Sequence, residues 1–74
     1  MLYNEKMIAM AIRDRRLKLN YTQEYVAFKL NISQNSYSKI ELGQSHLTLI
    51  RFIQICEALE IDQEEMLKAV MQKA

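Results

Sequence analysis

The sequence predicts an all-α fold: five helices packed as one compact domain. Three observations predict it. The chain has 74 residues with no proline and one glycine, Gly43, so it lacks the turn residues that hairpins and sheets depend on. Half of it is hydrophobic and 26% is charged, the balance of a folding chain, and Leu, Met, Ala, Lys, Glu and Gln are plentiful. Apolar residues recur at helical spacing in five stretches separated by short polar breaks, with no repeat, low-complexity stretch or linker between them. A single domain over residues 1–74 is expected from so short a chain.

The first stretch runs from about Asn4 to Leu19. Met7, Ile8, Ala11 and Ile12 share one side, and Arg13, Arg15, Arg16 and Lys18 crowd the end where the helix dipole favours cations. Thr22 is suited to N-cap a second helix, Gln23 to about Leu30, that turns Val26, Ala27 and Leu30 inward. Asn31, Ile32 and Ser33 form a three-residue break in which Asn31 tolerates the left-handed conformation, Ile32 plugs the core and Ser33 caps the next helix. That third helix, Gln34 to about Leu42, stops at Gly43, a residue suited to the position just past a helix end. Thr48 caps a fourth helix through about Leu59, with Leu49, Phe52, Ile53, Cys56 and Leu59 at core spacing. Asp62 and Glu65 read as an acidic capping box for a fifth helix that carries Met66, Leu67, Val70 and Met71.

A core drawn from so few residues is marginal. One cysteine cannot form an internal disulfide, and Cys56 with His46 cannot close a zinc site, so oligomerisation is the supplement that remains. Cys56 lies among apolar residues and reads as a reduced, buried small hydrophobe, which fits a reducing compartment. Near the N-terminus the only apolar run, Met7 to Ile12, is too short for a signal sequence or a membrane span, so a cytoplasmic protein with no membrane partner is expected. The sequence offers no nucleophile beside a base, no phosphate-cradling glycine loop and no metal-ligand spacing. No enzyme, cofactor or metal is expected.

The net charge of +1 is too small to indicate a nucleic-acid partner by itself. Its distribution says more: residues 11–45 hold six basic and three acidic side chains, and residues 46–74 hold three basic and five acidic ones. The basic part contains the third helix. Counting from Gln34, Tyr37 and Ile40 fall at about 300° and about 240° around that helix, which sets its buried direction. The opposite side holds Asn35, flanked by Ser38, Lys39 and Leu42, with Gln34 at the leading turn. Glutamine and asparagine can pair bidentately with adenine edges, serine can donate or accept, and lysine can reach guanine or phosphate, so this set matches major-groove readout. A solvated surface helix can show the same face, and its context decides between the two.

From Thr22 to Gly43 the chain reads TQEYVAFKLNISQNSYSKIELG, and it resembles the helix-turn-helix family of phage lambda repressor and Cro, often called XRE-like. Ala27 falls where the two helices of that motif cross, Val26, Leu30, Ile32, Tyr37 and Ile40 fall at its core positions, and Gln23 and Gln34 open its two helices. The likeness extends from about Ile12 to Leu67, through Leu49, the Ala58-Leu59 pair, Ile61 and the Glu65-Met66-Leu67 ending. The resemblance implies a lambda-repressor-like fold and a transcriptional regulator that binds double-stranded DNA. It implies Gln34, Asn35, Ser38 and Lys39 at base edges and neighbouring phosphates. It also implies Gln23, with Thr22, Lys29 and Ser33, at the DNA backbone, and Arg16 with Glu41 as a structural ion pair. Three residues depart from the pattern: Asn31 replaces the usual turn glycine, Leu47 a common proline, and Leu42 a commonly polar residue. Leu42 removes a phosphate contact or touches a thymine methyl.

Tyr3, Tyr21, Tyr25 and Tyr37 raise the idea of single-strand stacking, but spacing puts Tyr37 in the core and Tyr21 and Tyr25 at the packing edge of the first helix. His46 stands in a polar loop, solvated or near a phosphate. On the fifth helix the apolar arc is wider than one core face needs, which makes Met66, Val70 and Met71 candidates for a homodimer contact or for docking a protein partner. The expected whole is a homodimeric repressor on a pseudo-palindromic operator, its third helices one DNA turn, about 34 Å, apart. It acts by occluding a promoter or by contacting RNA polymerase. Two other readings stay open on the same fold: the antitoxin of a toxin–antitoxin pair, and an interaction module that binds no DNA.

Overall fold

In the computed structural model, which describes residues 4–73, the chain forms α1 (Glu5–Lys18), α2 (Gln23–Leu30), α3 (Gln34–Glu41), α4 (Leu49–Ala58) and α5 (Gln63–Met71). Four of these start where a short polar side chain takes over an unpaired backbone donor. Asn4 accepts from the N–H groups of Lys6 and Met7, Thr22 from Tyr25, Ser33 from Ser36 and Thr48 from Arg51. The fifth differs. Asp62 has the backbone conformation of a cap but its side chain makes no cap hydrogen bond, so the expected capping box with Glu65 does not form. Glu64 and Glu65 still place negative charge in the first turn, where the dipole favours it.

The helix ends repeat one device. Asn20, Asn31, Gly43 and Glu60 are left-handed, with φ of 60°, 57°, 73° and 57°. The following N–H turns back to a carbonyl of the last turn each time: Tyr21 to Arg16, Ile32 to Ala27, Gln44 to Lys39 and Ile61 to Cys56. Tyr21, Ile32 and Ile61 also pack their side chains against the core, so three of these turns pin the chain as well as stopping a helix.

α1 packs against α3 and α5, α2 against α3 and α4, and α4 against α5. The shared core centres on Ile12, Val26, Tyr37, Ile55, Cys56, Leu59 and Met66, all fully enclosed. Its radius of gyration, 11.1 Å, matches the ~11 Å expected for a close-packed chain of this length. In α4 the buried stripe is Phe52, Ile55, Cys56 and Leu59, so the expectation for Leu49 and Ile53 needs correcting: they are 74% and 36% exposed. Two adjoining stripes of α4 have the same period, and contact with α2 and α5 selects the one that contains Ile55. A similar correction applies to α5. Met66 and Val70 are inside the domain, while Leu67 and Met71 are about half exposed. Burial, helped by Asp62, pushes the Cys56 thiol up, which keeps it protonated and inert. Tyr3 lies outside the described residues. Among the described residues no helix is long and apolar enough to cross a membrane, and no cluster of three or more His, Cys, Asp or Glu side chains could hold a metal.

Candidate nucleic-acid interface

α2 and α3 are joined at Asn31, whose left-handed backbone lets Ile32 turn back onto the end of α2. Ala27, 2% exposed, is small enough for the helices to approach closely. α3 is then held from below by Tyr37, Ile40 and Glu41. Glu41 is the hub. Arg16 grips its carboxylate with both arms of the fork, Nε to Oε2 at 2.7 Å and Nη2 to Oε1 at 3.0 Å, and sends Nη1 to the Tyr21 carbonyl at 2.8 Å. Gln23 Nε2 donates to the same Oε1 at 3.0 Å. The first turn of α2, the end of α3 and the last turn of α1 are thereby tied to one buried carboxylate.

Burial alone would raise the Glu41 carboxyl, but Arg16, the neighbouring Tyr37 hydroxyl and Gln23 together outweigh it and hold it below the ordinary carboxylate range. The Arg16 guanidinium is raised in turn, chiefly by its hydrogen bond to Glu41. Burial first, then Glu41, pushes the Tyr37 hydroxyl well above its usual value. That hydroxyl is enclosed beside the ion pair without a hydrogen bond of ordinary geometry.

The opposite face of α3 points outward. Gln34, Asn35 and Lys39 are exposed and Ser38 is half-buried, so the four residues expected at base edges lie on one polar surface. Leu42, 57% exposed, ends that surface. Thr22 Oγ1 accepts from Tyr25 N–H and keeps its own proton to donate, and the Ser33 hydroxyl is shared with Ser36 at 2.9 Å. Gln23 spends one amide proton on Glu41 and keeps the other and its carbonyl.

Lys29 is placed otherwise. Its ammonium donates to the Ala58 carbonyl at 2.9 Å, lies 3.7 Å from the Glu60 carboxylate, and stands over the rings of Tyr21 and Tyr25 at 5.3 and 5.4 Å. Arg15 completes the arrangement, donating to the carbonyls of Leu59 and Glu60 at 3.0 and 2.8 Å. α4 has no basic residue in its own last turn, so α1 and α2 supply the cations that its C-terminal carbonyls attract. Lys29, expected at the DNA backbone, is thus bonded to the end of α4. The missing cation in α4 was the available clue, but it did not say which lysine or arginine would answer it.

On another side of the molecule an apolar groove of about 800 Å³ runs between the start of α1, the loop before α4 and the end of α5. Ile8, Ile40, Phe52 and Val70 line it together with the more exposed Leu49, Leu67 and Met71. At its polar rim His46 Nδ1 lies 3.2 Å from Glu5 Oε1.

A helix-turn-helix family model matches residues 12–65. The cryptic phage CTXphi transcriptional repressor RstR of Vibrio cholerae serotype O1 is 34% identical over 55 residues, 74% of this chain and 49% of the relative. The chain thus spans about half the length of that curated relative. Among solved structures, the clp gene regulator ClgR of C. glutamicum superposes with a TM-score of 0.89 at 19% identity, over 93% of this chain and 90% of that one, a likeness of fold. The restriction-modification controller protein C.Esp1396I, as a tetramer in complex with its natural 35 base-pair operator, superposes with a TM-score of 0.78 at 27% identity, over 90% and 93% of the two chains.

Proposed function

We propose that this chain, which belongs to the helix-turn-helix family, is a transcriptional regulator that reads double-stranded DNA sequence-specifically and represses as a homodimer. The observation that carries this reading is the division of α3 into two faces. One is packed inward through Tyr37, Ile40 and the Arg16–Glu41 pair, and the other presents Gln34, Asn35, Ser38 and Lys39 to solvent. In this reading the first turn of α3 enters the major groove, where Asn35 and Gln34 meet base edges. Thr22 and Gln23 meet phosphate at the start of α2, aided by the free backbone N–H groups there. RstR, named as a transcriptional repressor, and C.Esp1396I, described on its operator, support the reading.

A single reader this small makes too few base contacts to be selective alone, and a symmetric pair doubles them on a pseudo-palindromic site. The groove rimmed by Leu49, Leu67 and Met71 supplies the surface: exposed large apolar side chains gather there, and a second copy meeting it with the same patch forms a closed two-fold contact. A dimer seated on a promoter excludes polymerase from it. The direct test is a pair of binding curves, on a selected site and on random duplex. Asn35→Ala is expected to weaken the selected site by about 1–3 kcal/mol and relax discrimination at one or two positions, with little change on random duplex. Equal losses on both duplexes, or none, would remove α3 from the groove in this register.

A further inference from the structure

We infer that Lys6, in the first turn of α1, contacts a DNA phosphate at the C-terminal end of α3, an assignment that rests on the DNA-binding reading above. Its position comes from Gly43, the residue just past the α3 cap. A Cβ at Gly43 would lie 3.1 Å from Lys6 Cγ and 3.2 Å from Lys6 Cα, so the missing side chain is what lets α1 lay the stem of Lys6 across the end of the reading helix. Gly43 also carries a φ of 73°, which disfavours any replacement.

Three features make this position cationic and available. Lys6 is exposed, and its ammonium has no carboxylate partner within ion-pair distance among the described residues. The adjacent Glu5 lines the groove and is met there by His46. Arg15, Arg16 and Lys29, which the sequence places in the basic half, are committed to Leu59, Glu60, Glu41, Tyr21 and Ala58.

The length of α3 brings a phosphate within reach. An eight-residue helix is about 12 Å long, and the major groove is about 12 Å wide. With Gln34 and Asn35 at base edges, the far end of α3 therefore comes up against a sugar–phosphate strand. Leu42 stands at that end, 57% exposed and without a donor. Besides Lys39, which the last turn of α3 carries itself, Lys6 is the neighbouring cation that can neutralise the phosphate, and as a flexible point charge it does so without regard to sequence.

The experiment compares Lys6→Ala with Lys68→Ala, an equal charge change on the exposed side of α5, each first shown by circular dichroism to keep wild-type helicity. Affinity for random duplex is measured across a salt series. One lost phosphate contact flattens the slope of log affinity against log salt by about 0.9, a change of about 3.5-fold over a fourfold salt range. The expected result is that loss for Lys6→Ala and an unchanged slope for Lys68→Ala. Unchanged slopes in both variants, or equal losses in both, overturn the assignment to Lys6. Absence of wild-type binding at low salt overturns the DNA reading instead.

Discussion

The outer face of α3 and the groove between α1, the loop before α4 and α5 are both exposed, but exposure means different things in the two places. Gln34, Asn35, Ser38 and Lys39 hydrogen-bond with water as readily as with a partner, so leaving them in solvent carries no penalty. Leu49, Leu67 and Met71, between 49% and 74% exposed, forgo burial that a small core could have used. On the apolar side exposure is itself a signal. On the polar side only rigidity is, and the buried carboxylate of Glu41 provides it by tying α1, α2 and α3 at one point. In the reading proposed above, the DNA-reading surface is marked by what immobilises it from beneath, and the assembly surface by what the fold leaves uncovered.

The largest blow to this contrast should come from below. Glu41→Ala strands the Arg16 charge in a buried site and is expected to cost on the order of 3 kcal/mol in urea unfolding, loosening both surfaces together. The same pair sets an acid limit. Because the folded Glu41 carboxyl lies below the ~4.3 of a free glutamate, its stabilisation is complete above that pH and is lost as pH falls through the lower folded value. Glu41→Gln should remove that acid-side slope, as followed by unfolding at a series of pH values.

A charge placed on the apolar side should separate assembly from folding. Leu67→Asp is expected to raise the dimer dissociation constant about 30-fold, or roughly 2 kcal/mol, in sedimentation, while the protomer keeps its helicity. The neighbouring change Met66→Asp puts the same charge in the core and should unfold the protomer. If Leu67→Asp leaves self-association unaltered, the groove is not the contact between copies.

The smallest effect is expected at Lys29. Lys29→Ala removes a partly exposed cap of α4 and its contact with two tyrosine rings, worth about 1 kcal/mol or less, and should leave the salt slope on random duplex unchanged. A flattened slope would return Lys29 to the DNA-facing side.

How much could be read from the sequence depends on the range of each interaction. The start of α3 was readable because Ser33 caps Ser36, three residues away, and its end because Gly43 sits one residue past the cap. Asn31 could be assigned a left-handed turn for the same reason. Glu60, also left-handed, was not anticipated, because glutamate has no intrinsic preference for that conformation; the Arg15 bond to its carbonyl is made from 45 residues away. The bond of Lys29 to Ala58 was not readable on similar grounds: its partner lies 29 residues further along.

By itself, then, the sequence determined the five helices, three of their five N-terminal caps (Thr22, Ser33 and Thr48) and the polar face of α3, since these depend on periodicity and on contacts within one turn. Only the tertiary structure decided which stripe of α4 and of α5 is buried, which cations are consumed at the end of α4, and that Lys6 lies across Gly43. Those outcomes depend on which of several equally periodic faces finds a complementary neighbour and on where a backbone can approach without a side chain between. Both are properties of the packed helices together, and no stretch of the chain carries them alone.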